Sequence, residues 1–212
     1  IEKENFGGQI THSPKVENYP GFTQISGGAL ADQMVEQIMA QGADVELDAI
    51  LEIRREENVF CVRGESGCWY GKSVIIASGS KHRTLGLPRE KELTGNGVSY
   101  CAVCDGAFFA GKTVAVIGGG NSALQESILL AETSKEVVMV QNLPYLTGEK
   151  RLADYLKTRS NVRILLGSVV KELLGERRLE AIRLSGAHGE QILLVDGLFV
   201  AIGQSPENAP FS

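Results

Sequence analysis

The chain has 212 residues, of which 43% are hydrophobic and 22% are charged, and its formal net charge is −5. This length and composition suit a globular protein with a substantial buried core. The acidic balance and the lack of a Lys/Arg stripe argue against nucleic-acid binding, and no apolar run reaches membrane-spanning length. The 4 cysteines are too few for a disulfide-based scaffold, and we expect a cytoplasmic protein.

The first part of the chain predicts a loop, a helix and an antiparallel set of strands. Residues 7–22 are rich in Gly, Pro and polar residues and have no hydrophobic period, which is typical of a loop. Residues 27–41 carry apolar side chains at helical spacing and end before Gly42, so they predict an amphipathic helix. Three strands separated by polar turns are then predicted at 49–55, 59–63 and 69–77.

After the KHRTLGLP stretch at 81–88, the pattern changes to alternating strands and helices. A buried strand is predicted at 113–117, and further strands at 137–140 and 162–166, with helices at 121–132 and 149–157 between them. Further strands are predicted at 181–184, 191–194 and 198–202. This order predicts an α/β fold with a small doubly wound unit and an antiparallel insert.

A glycine turn joins the strand at 113–117 to the helix that follows it. Gly118, Gly120 and Ala123 match the pattern G-x-G-x-x-A, in which glycine lets the backbone approach a pyrophosphate at the helix N-terminus. A turn that only connects the strand to the helix is the alternative. An acid for NAD or an arginine for NADP is expected about 20 residues later, but the chain has Gln141 and Asn142 there.

Residues 101–106 read CAVCDG and contain two of the four cysteines. The spacing brings two sulfur atoms within bridging distance if a helix or turn begins at Cys101. A helix N-terminus would stabilise a thiolate there, and Asp105 would hold or pass a proton as the disulfide opens and closes. We therefore favour a redox pair and no metal site, because a zinc site needs a second C-x-x-C or paired histidines. A structural disulfide or a pair of inert thiols would also fit the spacing.

The C-x-x-C segment and the glycine turn together are more specific than either motif alone. They resemble the low-molecular-weight thioredoxin reductases, a group of flavoprotein pyridine nucleotide-disulfide oxidoreductases. Further matching stretches are GGQI at 7–10, VENYPGF at 16–22, SVIIASGS at 73–80, LGLP at 85–88 and LFVAIGQSPEN at 198–208. The resemblance extends over essentially the whole chain.

This resemblance implies a two-domain α/β reductase in which an FAD domain and a smaller, doubly wound NAD(P)-type domain are joined by two connections. We expect residues 1–82 to be a partial FAD-binding domain, with the β-meander but without its GxGxxG strand. Residues 83–204 would be the nucleotide domain that carries the redox pair, and 205–212 would begin the return to the FAD domain. On this interpretation the chain matches the middle of such an enzyme, truncated at both ends.

The activity implied by the resemblance is flavin-dependent reduction of a protein disulfide, with thioredoxin or a thioredoxin-like protein as partner and a homodimer as the assembly. Carried over by motif, Cys101 and Cys104 would be the redox pair and Asp105 the proton donor and acceptor. The residues that match the cofactor-binding positions are Gly8, Gln9, Asn18, Ser78 and Gly79 for the flavin, and Gly118, Gly120, Asn121 and Ser122 for the nicotinamide dinucleotide.

The electron donor and the catalytic state of the chain stay open. Family members that use NADPH carry a basic run where this chain has QNLPYLTGE at 141–149, which puts NADPH in doubt and leaves ferredoxin or another donor as an alternative. The chain would otherwise be a flavin-free, non-catalytic fragment or binding module, since without the GxGxxG strand it is not expected to hold FAD tightly. A reductase of a peroxide-reducing system shares the motifs but would need a thioredoxin-like extension at its N-terminus.

Overall fold

The computed structural model describes residues 1–13, 15–186, 189–208 and 211. These residues divide into two compact units. Unit 1 comprises Ile1–Ser80 and the segment from Pro206 onward, and unit 2 comprises Lys81–Ser205. Within the described ranges, no helix is both long and apolar enough to cross a lipid bilayer.

Unit 1 contains one long helix and a three-stranded antiparallel meander. Helix α1 spans Gly27–Ala40 and begins after Ser26, whose hydroxyl accepts the Ala29 N–H at 3.2 Å as an N-cap. The strands are β1 (Ile50–Glu56), β2 (Val59–Gly64) and β3 (Cys68–Gly71), paired in that order. The predicted helix and meander are therefore confirmed, whereas the predicted loop at 7–22 also contains a short 3₁₀ helix, Gly8–His12.

The third strand of the meander is shorter than the sequence predicts. The apolar run at 74–77 predicted a strand to Ala77, but β3 ends at Gly71. No strand in the described part of the chain pairs with residues 72–79, and Ile75 is 92% exposed. A run of β-branched residues has strand propensity, but the state depends on a neighbouring strand that supplies hydrogen bonds.

Unit 2 is built on a five-stranded parallel sheet. Its strands are β5 (Val98–Ser99), β6 (Thr113–Ile117), β7 (Glu136–Val140), β8 (Val162–Leu165) and β12 (Gly197–Val200) in the order β5-β12-β6-β7-β8. The helices are α2 (Glu90–Leu93), α3 (Ala102–Asp105), α4 (Asn121–Ala131) and α5 (Lys150–Lys157). A short pair of strands, β4 (Ser80–His82) and β13 (Gln204–Pro206), lies where the chain passes between the units. The α/β fold is thus confirmed.

The antiparallel insert of unit 2 has one strand that the sequence did not reveal. It consists of β9 (Ser168–Leu174), β10 (Ala181–Gly186) and β11 (Gly189–Leu194), with β10 in the centre. Strand β9 pairs Glu172 with Arg183 and Val170 with Leu184, so Lys171 is an extra residue in the ladder. This bulge interrupts the period of two on which strand prediction depends.

The core of unit 2 lies on both faces of its parallel sheet. Along β6, Ala115 and Ile117 pack into one apolar cluster, whereas Val114 and Val116 pack into another on the opposite face. Phe199 of β12 is fully buried and meets Phe109 edge to face, with ring centroids 5.3 Å apart. A strand buried on both faces appears in a sequence as a continuous apolar run, which is why TVAVI predicted β6 so well.

Candidate functional site

The two cysteines of CAVCDG form a disulfide at the start of a helical turn. Cys101 is the N-cap of α3, and its Sγ accepts a hydrogen bond from the Cys104 N–H at 3.1 Å. The two residues are bonded through their sulfur atoms, with Cα atoms 5.3 Å apart. A helix does begin at the first cysteine, as the spacing requires for bridging. Both side chains are half-buried, so solvent reaches the pair.

Asp105 is held next to this pair by a serine that sequence reasoning missed. Ser99 ends β5, is 4% exposed, and donates its hydroxyl hydrogen to Asp105 Oδ2 at 2.7 Å. The hydroxyl oxygen of Ser99 also accepts the Cys101 N–H at 3.1 Å. A serine two residues before a cysteine carries no recognisable signal in a sequence, because its partner depends on how the chain turns. We call residues 99–109 the redox segment.

A buried carboxylate anchors the residue before the pair. Glu90 of α2 is 4% exposed and accepts N–H groups from Leu85 and Gly86, each at 2.8 Å. It also accepts the Tyr100 hydroxyl at 2.8 Å. Burial, followed by this hydrogen bond to the Glu90 carboxylate, raises the pKa of Tyr100 to about 12. The phenol therefore remains a neutral donor at physiological pH and holds the chain immediately before Cys101.

Two apolar side chains of the redox segment are exposed. Val103, between the cysteines, is 70% exposed, and Phe108 is 74% exposed. Phe109 turns inward against Phe199, and Lys112 lies over its ring at 5.5 Å from the centroid. Exposed apolar residues beside a reactive group are typical of a surface that a protein partner covers.

The glycine turn, residues 118–122, has the geometry that its motif predicts. Gly118 has φ +133°, and a Cβ there would lie 2.3 Å from the Ala201 carbonyl oxygen, so only glycine fits. Helix α4 begins at Asn121, and the N–H groups of a first helical turn have no partners within the helix. The turn therefore presents backbone N–H donors and the positive end of the helix dipole, a combination that favours binding of an anion.

The loop at 141–149 folds back onto this turn. The Thr147 and Gly148 N–H groups donate to the Gly119 carbonyl at 2.8 and 2.9 Å. The Glu149 N–H donates to Asn121 Oδ1 at 2.7 Å, and Asn121 Nδ2 donates to the Glu149 carboxylate at 3.3 Å. The side chain of Asn121, which the motif places at the nucleotide site, is thus engaged by the loop.

A cavity of about 630 Å³ opens between the glycine turn and this loop. Its walls come from 118–122, 141–143, 168–170 and 201–203, with Thr84, Leu85 and Thr147 beside them. Gly118, Gly120, Asn121 and Ser122 all line it. Among the described residues, no Asp, Glu, Lys or Arg contributes to its wall. The uncharged wall agrees with the missing selector in the sequence.

The two residues at the expected selector positions have different environments. Gln141 is only 5% exposed, and its side-chain Nε2 would lie 2.5 Å from a Cβ placed on Gly119. Asn142 is exposed and lines the cavity. Arg151 lies near in sequence but forms an ion pair with Glu149 at 2.8 Å. Of these two wall residues, Asn142 is therefore the exposed one.

The residues that match flavin-contacting positions lie in exposed segments of unit 1. Gln9 donates its side-chain amide to the Ser80 carbonyl, which brings the loop with Gly8 and Gln9 next to the segment with Ser78 and Gly79. In the part of the chain that the structure describes, no atom lies within 4 Å of a Cβ built on Gly8 or Gly79. Asn18 is exposed in the loop closed by the Val16–Ile25 bridge.

The remaining thiols and carboxylates do not assemble a metal site among the residues described. No group of three or more His, Cys, Asp or Glu side chains in these ranges is close enough to hold an ion. Cys61 and Cys68 are free thiols on β2 and β3, the first buried and the second exposed.

Comparison with known proteins places this geometry in a family. Residues 1–211 match the model of the pyridine nucleotide-disulphide oxidoreductases. The chain belongs to this family. It is 36% identical to the 34.2 kDa protein in the rubredoxin operon of Clostridium pasteurianum, over 100% of this chain and 70% of that protein. It is 37% identical to the thioredoxin reductase of Bacillus subtilis, over 100% of this chain and 68% of that protein.

Solved structures of the family have the same fold. The thioredoxin reductase of Lactococcus lactis superposes with a TM-score of 0.79 at 29% identity, covering 97% of this chain and 69% of that one. The resemblance drawn from the motifs is thereby confirmed. The chain is an oxidoreductase of the flavin- and nicotinamide-linked disulfide reductase type.

Proposed function

We propose that the protein reduces the disulfide of a thioredoxin-like protein, using Cys101 and Cys104 as its redox pair. The observation that carries this proposal is the position of Cys101 as the N-cap of α3, with the Cys104 N–H on its sulfur and Asp105 next to Cys104 in the chain. A sulfur atom that accepts a backbone N–H at a helix N-terminus is favoured as a thiolate. Cys101 is therefore the thiol that attacks the partner.

The reaction consists of reduction of the pair, formation of a mixed disulfide and resolution of that mixed disulfide. In the first, the Cys101–Cys104 disulfide takes up two electrons and two protons and becomes two thiols. In the second, the Cys101 thiolate attacks one sulfur of the partner disulfide and forms a mixed disulfide, releasing one partner thiol. Cys104 then attacks Cys101, which restores the original disulfide and releases the second partner thiol. The two protons of the dithiol end on the partner.

The surface around the pair supports a protein substrate. Val103, between the two cysteines in the chain, and Phe108, four residues after Cys104, expose apolar area, and such area is protected from water when a partner docks. The relatives named thioredoxin reductase support a thioredoxin-like partner. The cytoplasm, where thiols are kept reduced, is the compartment in which this cycle fits, and a homodimer is the assembly that the family resemblance suggests.

The residues present suit a flavin in part. Open space above Gly8 and Gly79 would let a planar ring lie against the backbone, and Gln9, Asn18 and Ser78 offer polar groups at its edge. When bound, FAD would supply the two electrons that open the disulfide. The chain's own contribution is to orient the sulfur atoms and to hold a proton at Asp105.

The cavity at the glycine turn suits a dinucleotide without charge selection. The first turn of α4 would meet a pyrophosphate through backbone N–H groups. The wall offers no cation for the 2′-phosphate of NADPH within the described ranges. We therefore propose that NADPH and NADH are accepted about equally, with reduced ferredoxin as the alternative donor to be tested.

The test is anaerobic reduction of the intact flavoprotein with NADPH, NADH and reduced ferredoxin in parallel, followed by thioredoxin-dependent reduction of insulin. We expect bleaching of the flavin by both nucleotides at similar concentrations, and insulin reduction that requires thioredoxin. A protein that binds no added FAD, or a reduced flavoprotein that leaves thioredoxin oxidised, would refute the proposed activity. Bleaching by ferredoxin alone would overturn the proposed donor.

A further inference from the structure

We propose that Ser99 is a positioning residue that fixes the Asp105 carboxylate for proton transfer at the cysteine pair. The inference rests on the proposed function, because it assigns Asp105 the proton that the sulfur atoms exchange. It starts from the hydrogen bonds of a single buried hydroxyl. Ser99 is 4% exposed, so its own side chain is not available for contact with a docked partner.

The position of Ser99 is set by the sheet of unit 2. It ends β5, where it pairs with Phe199 of β12, a residue at the centre of the core. The redox segment leaves the sheet at this point, and the helical turn of α3 follows within three residues. The sheet therefore holds Ser99 in place, and the turn that follows starts from a fixed position.

The hydroxyl group of Ser99 joins both ends of that turn. Its oxygen accepts the Cys101 N–H at 3.1 Å, and its single hydrogen is donated to Asp105 Oδ2 at 2.7 Å. The Cys101 carbonyl, at 3.4 Å, is a longer and weaker alternative acceptor. The Asp105 N–H donates to that same carbonyl at 3.1 Å. Both the backbone and the carboxylate of Asp105 are thus tied to the cysteine turn.

The consequence for catalysis is an orientation. With Oδ2 engaged by Ser99, the carboxylate cannot rotate freely, and Oδ1 is the oxygen left to take a proton. When the Cys101 thiol loses its proton to this oxygen, the Cys101 sulfur attacks the partner disulfide. The sulfur released from the partner then takes that proton from Asp105. No electron passes through Ser99 or Asp105, and the carboxylate returns to its starting state.

Loss of the hydroxyl should therefore slow the chemical step without weakening docking of the partner. A carboxylate that must be brought into position at each turnover loses part of its advantage as an oriented acid and base. We expect kcat to fall about tenfold to a hundredfold in Ser99→Ala, with KM for thioredoxin unchanged. Ser99→Thr, which keeps the hydroxyl on a strand position, should keep kcat within about threefold of the parent.

The experiment is a double-mutant cycle on the intact flavoprotein with Ser99→Ala, Asp105→Asn and both together. If Ser99 acts through Asp105, Ser99→Ala should slow the Asp105→Asn enzyme by less than about twofold. The matched control is Ser127→Ala, since Ser127 is also fully buried but its hydroxyl has no hydrogen-bond partner among the described residues. This control should leave kcat unchanged.

A second measurement separates failure of this inference from failure of the proposed function. The pair is reduced with dithiothreitol, freed of reductant, and mixed with 2-hydroxyethyl disulfide, which releases 2-mercaptoethanol as the protein disulfide re-forms. The loss of the two protein thiols is followed by quenching with N-ethylmaleimide and counting the labels on the protein. This exchange needs neither flavin nor thioredoxin. Ser99→Ala should slow it by a factor similar to the fall in kcat, and Ser99→Gly serves if the alanine variant does not fold.

Equal slowing by Ser99→Ala in the parent and Asp105→Asn backgrounds would overturn the inference. An unchanged exchange rate in Ser99→Ala would do the same, even if turnover with thioredoxin were slowed. If the parent protein exchanges with 2-hydroxyethyl disulfide but does not reduce thioredoxin, the proposed function fails while the role of Ser99 can still be measured.

Discussion

The redox segment and the glycine turn lie in the same unit, yet they are specified in different ways. In the redox segment, the groups with chemistry fall within seven residues, from Ser99 to Asp105, and bond to one another. At the glycine turn, residues 118–122 supply backbone shape, while the side chains around the cavity come from four separated parts of the chain. The groups around the cysteine pair are therefore close together in the sequence, whereas the cavity wall is built from segments that are far apart in it.

Helix α4 connects the two regions. Its first residues, Asn121 and Ser122, line the cavity, and Leu130 near its other end lies against Gly106 of the redox segment. A substitution in α4 can therefore affect both regions, whereas a substitution in the redox segment or in the glycine turn should affect one of them.

The largest effect is expected in the redox segment. Cys104→Ser removes one sulfur of the pair, so that no intramolecular disulfide can form, and disulfide reductase turnover should be lost. Flavin binding and reduction by the donor should persist, because they do not require the pair. Turnover is measured with thioredoxin and insulin. Cys68→Ser, which removes an exposed free thiol, is the control and should retain full activity. Parent-level turnover in Cys104→Ser would contradict the assignment.

A smaller but clear effect is expected at the glycine turn. Gly118→Ala places a Cβ against the Ala201 carbonyl, at a φ that favours glycine, and should destabilise unit 2 by about 3 kcal/mol. Affinity for a dinucleotide should fall as well. Gly111→Ala is a matched control, because Gly111 also has positive φ (+72°) but open space around a Cβ. Denaturant unfolding should show a loss of only about 1 kcal/mol for the control.

The shared helix predicts a pH dependence of stability. Burial raises the pKa of Glu126 to about 7 from its ordinary value of 4.5, and its Oε2 has no hydrogen-bond partner in the described ranges. The folded protein therefore favours the protonated form. This contribution is complete below pH 4.5 and is lost as the pH rises towards 7.

Glu126→Gln should remove that dependence. Relative to the parent, the variant should gain about 2 kcal/mol of unfolding free energy between pH 4.5 and pH 8, after allowance for partial contact with water. Urea unfolding at the two pH values measures the difference. The same parent–variant difference at both would mean that the carboxyl titrates alike in the folded and unfolded states.

The smallest effect is expected from adding the missing charge at the cavity. Asn142→Arg introduces a guanidinium on an exposed wall position, where it can meet a 2′-phosphate. We expect KM for NADPH to fall about tenfold with KM for NADH unchanged, the size of one charge-assisted hydrogen bond. Gln141→Arg is the contrasting variant, since its buried site against Gly119 has no room for arginine. Equal changes in both KM values would show that Asn142 does not face the phosphate.

The same contrast explains what could be read from the sequence. Strand β6, the turn at Gly118 and the start of α4 follow from local propensity and one motif, and they lie where the sequence predicted them. The bulge at Lys171 and the early end of β3 depend on strand partners, which a single sequence does not display. Residue roles divide in the same way.

Within the candidate sites, the residues named by the C-x-x-C motif and the glycine turn lie together, but their supporting partners were missed. The sequence offers Cys101 and Asp105 by their spacing, yet the hydrogen bonds of Ser99 and Glu90 to this segment form only when the chain folds. The hold of Glu149 on Asn121 is another example. Reactive residues that are close together in the chain can be predicted from a sequence, whereas the hydrogen bonds that orient them cannot.

The most direct test of the account is to identify the thiols that appear when the intact flavoprotein is reduced by its donor. The protein is treated anaerobically with donor, alkylated with iodoacetamide, and digested for mass spectrometry, alongside an unreduced sample. We predict that Cys101 and Cys104 are alkylated only after reduction. Neither should be alkylated when oxidised thioredoxin is added before the iodoacetamide. Labelling of Cys101 and Cys104 that is the same with and without donor would contradict the account.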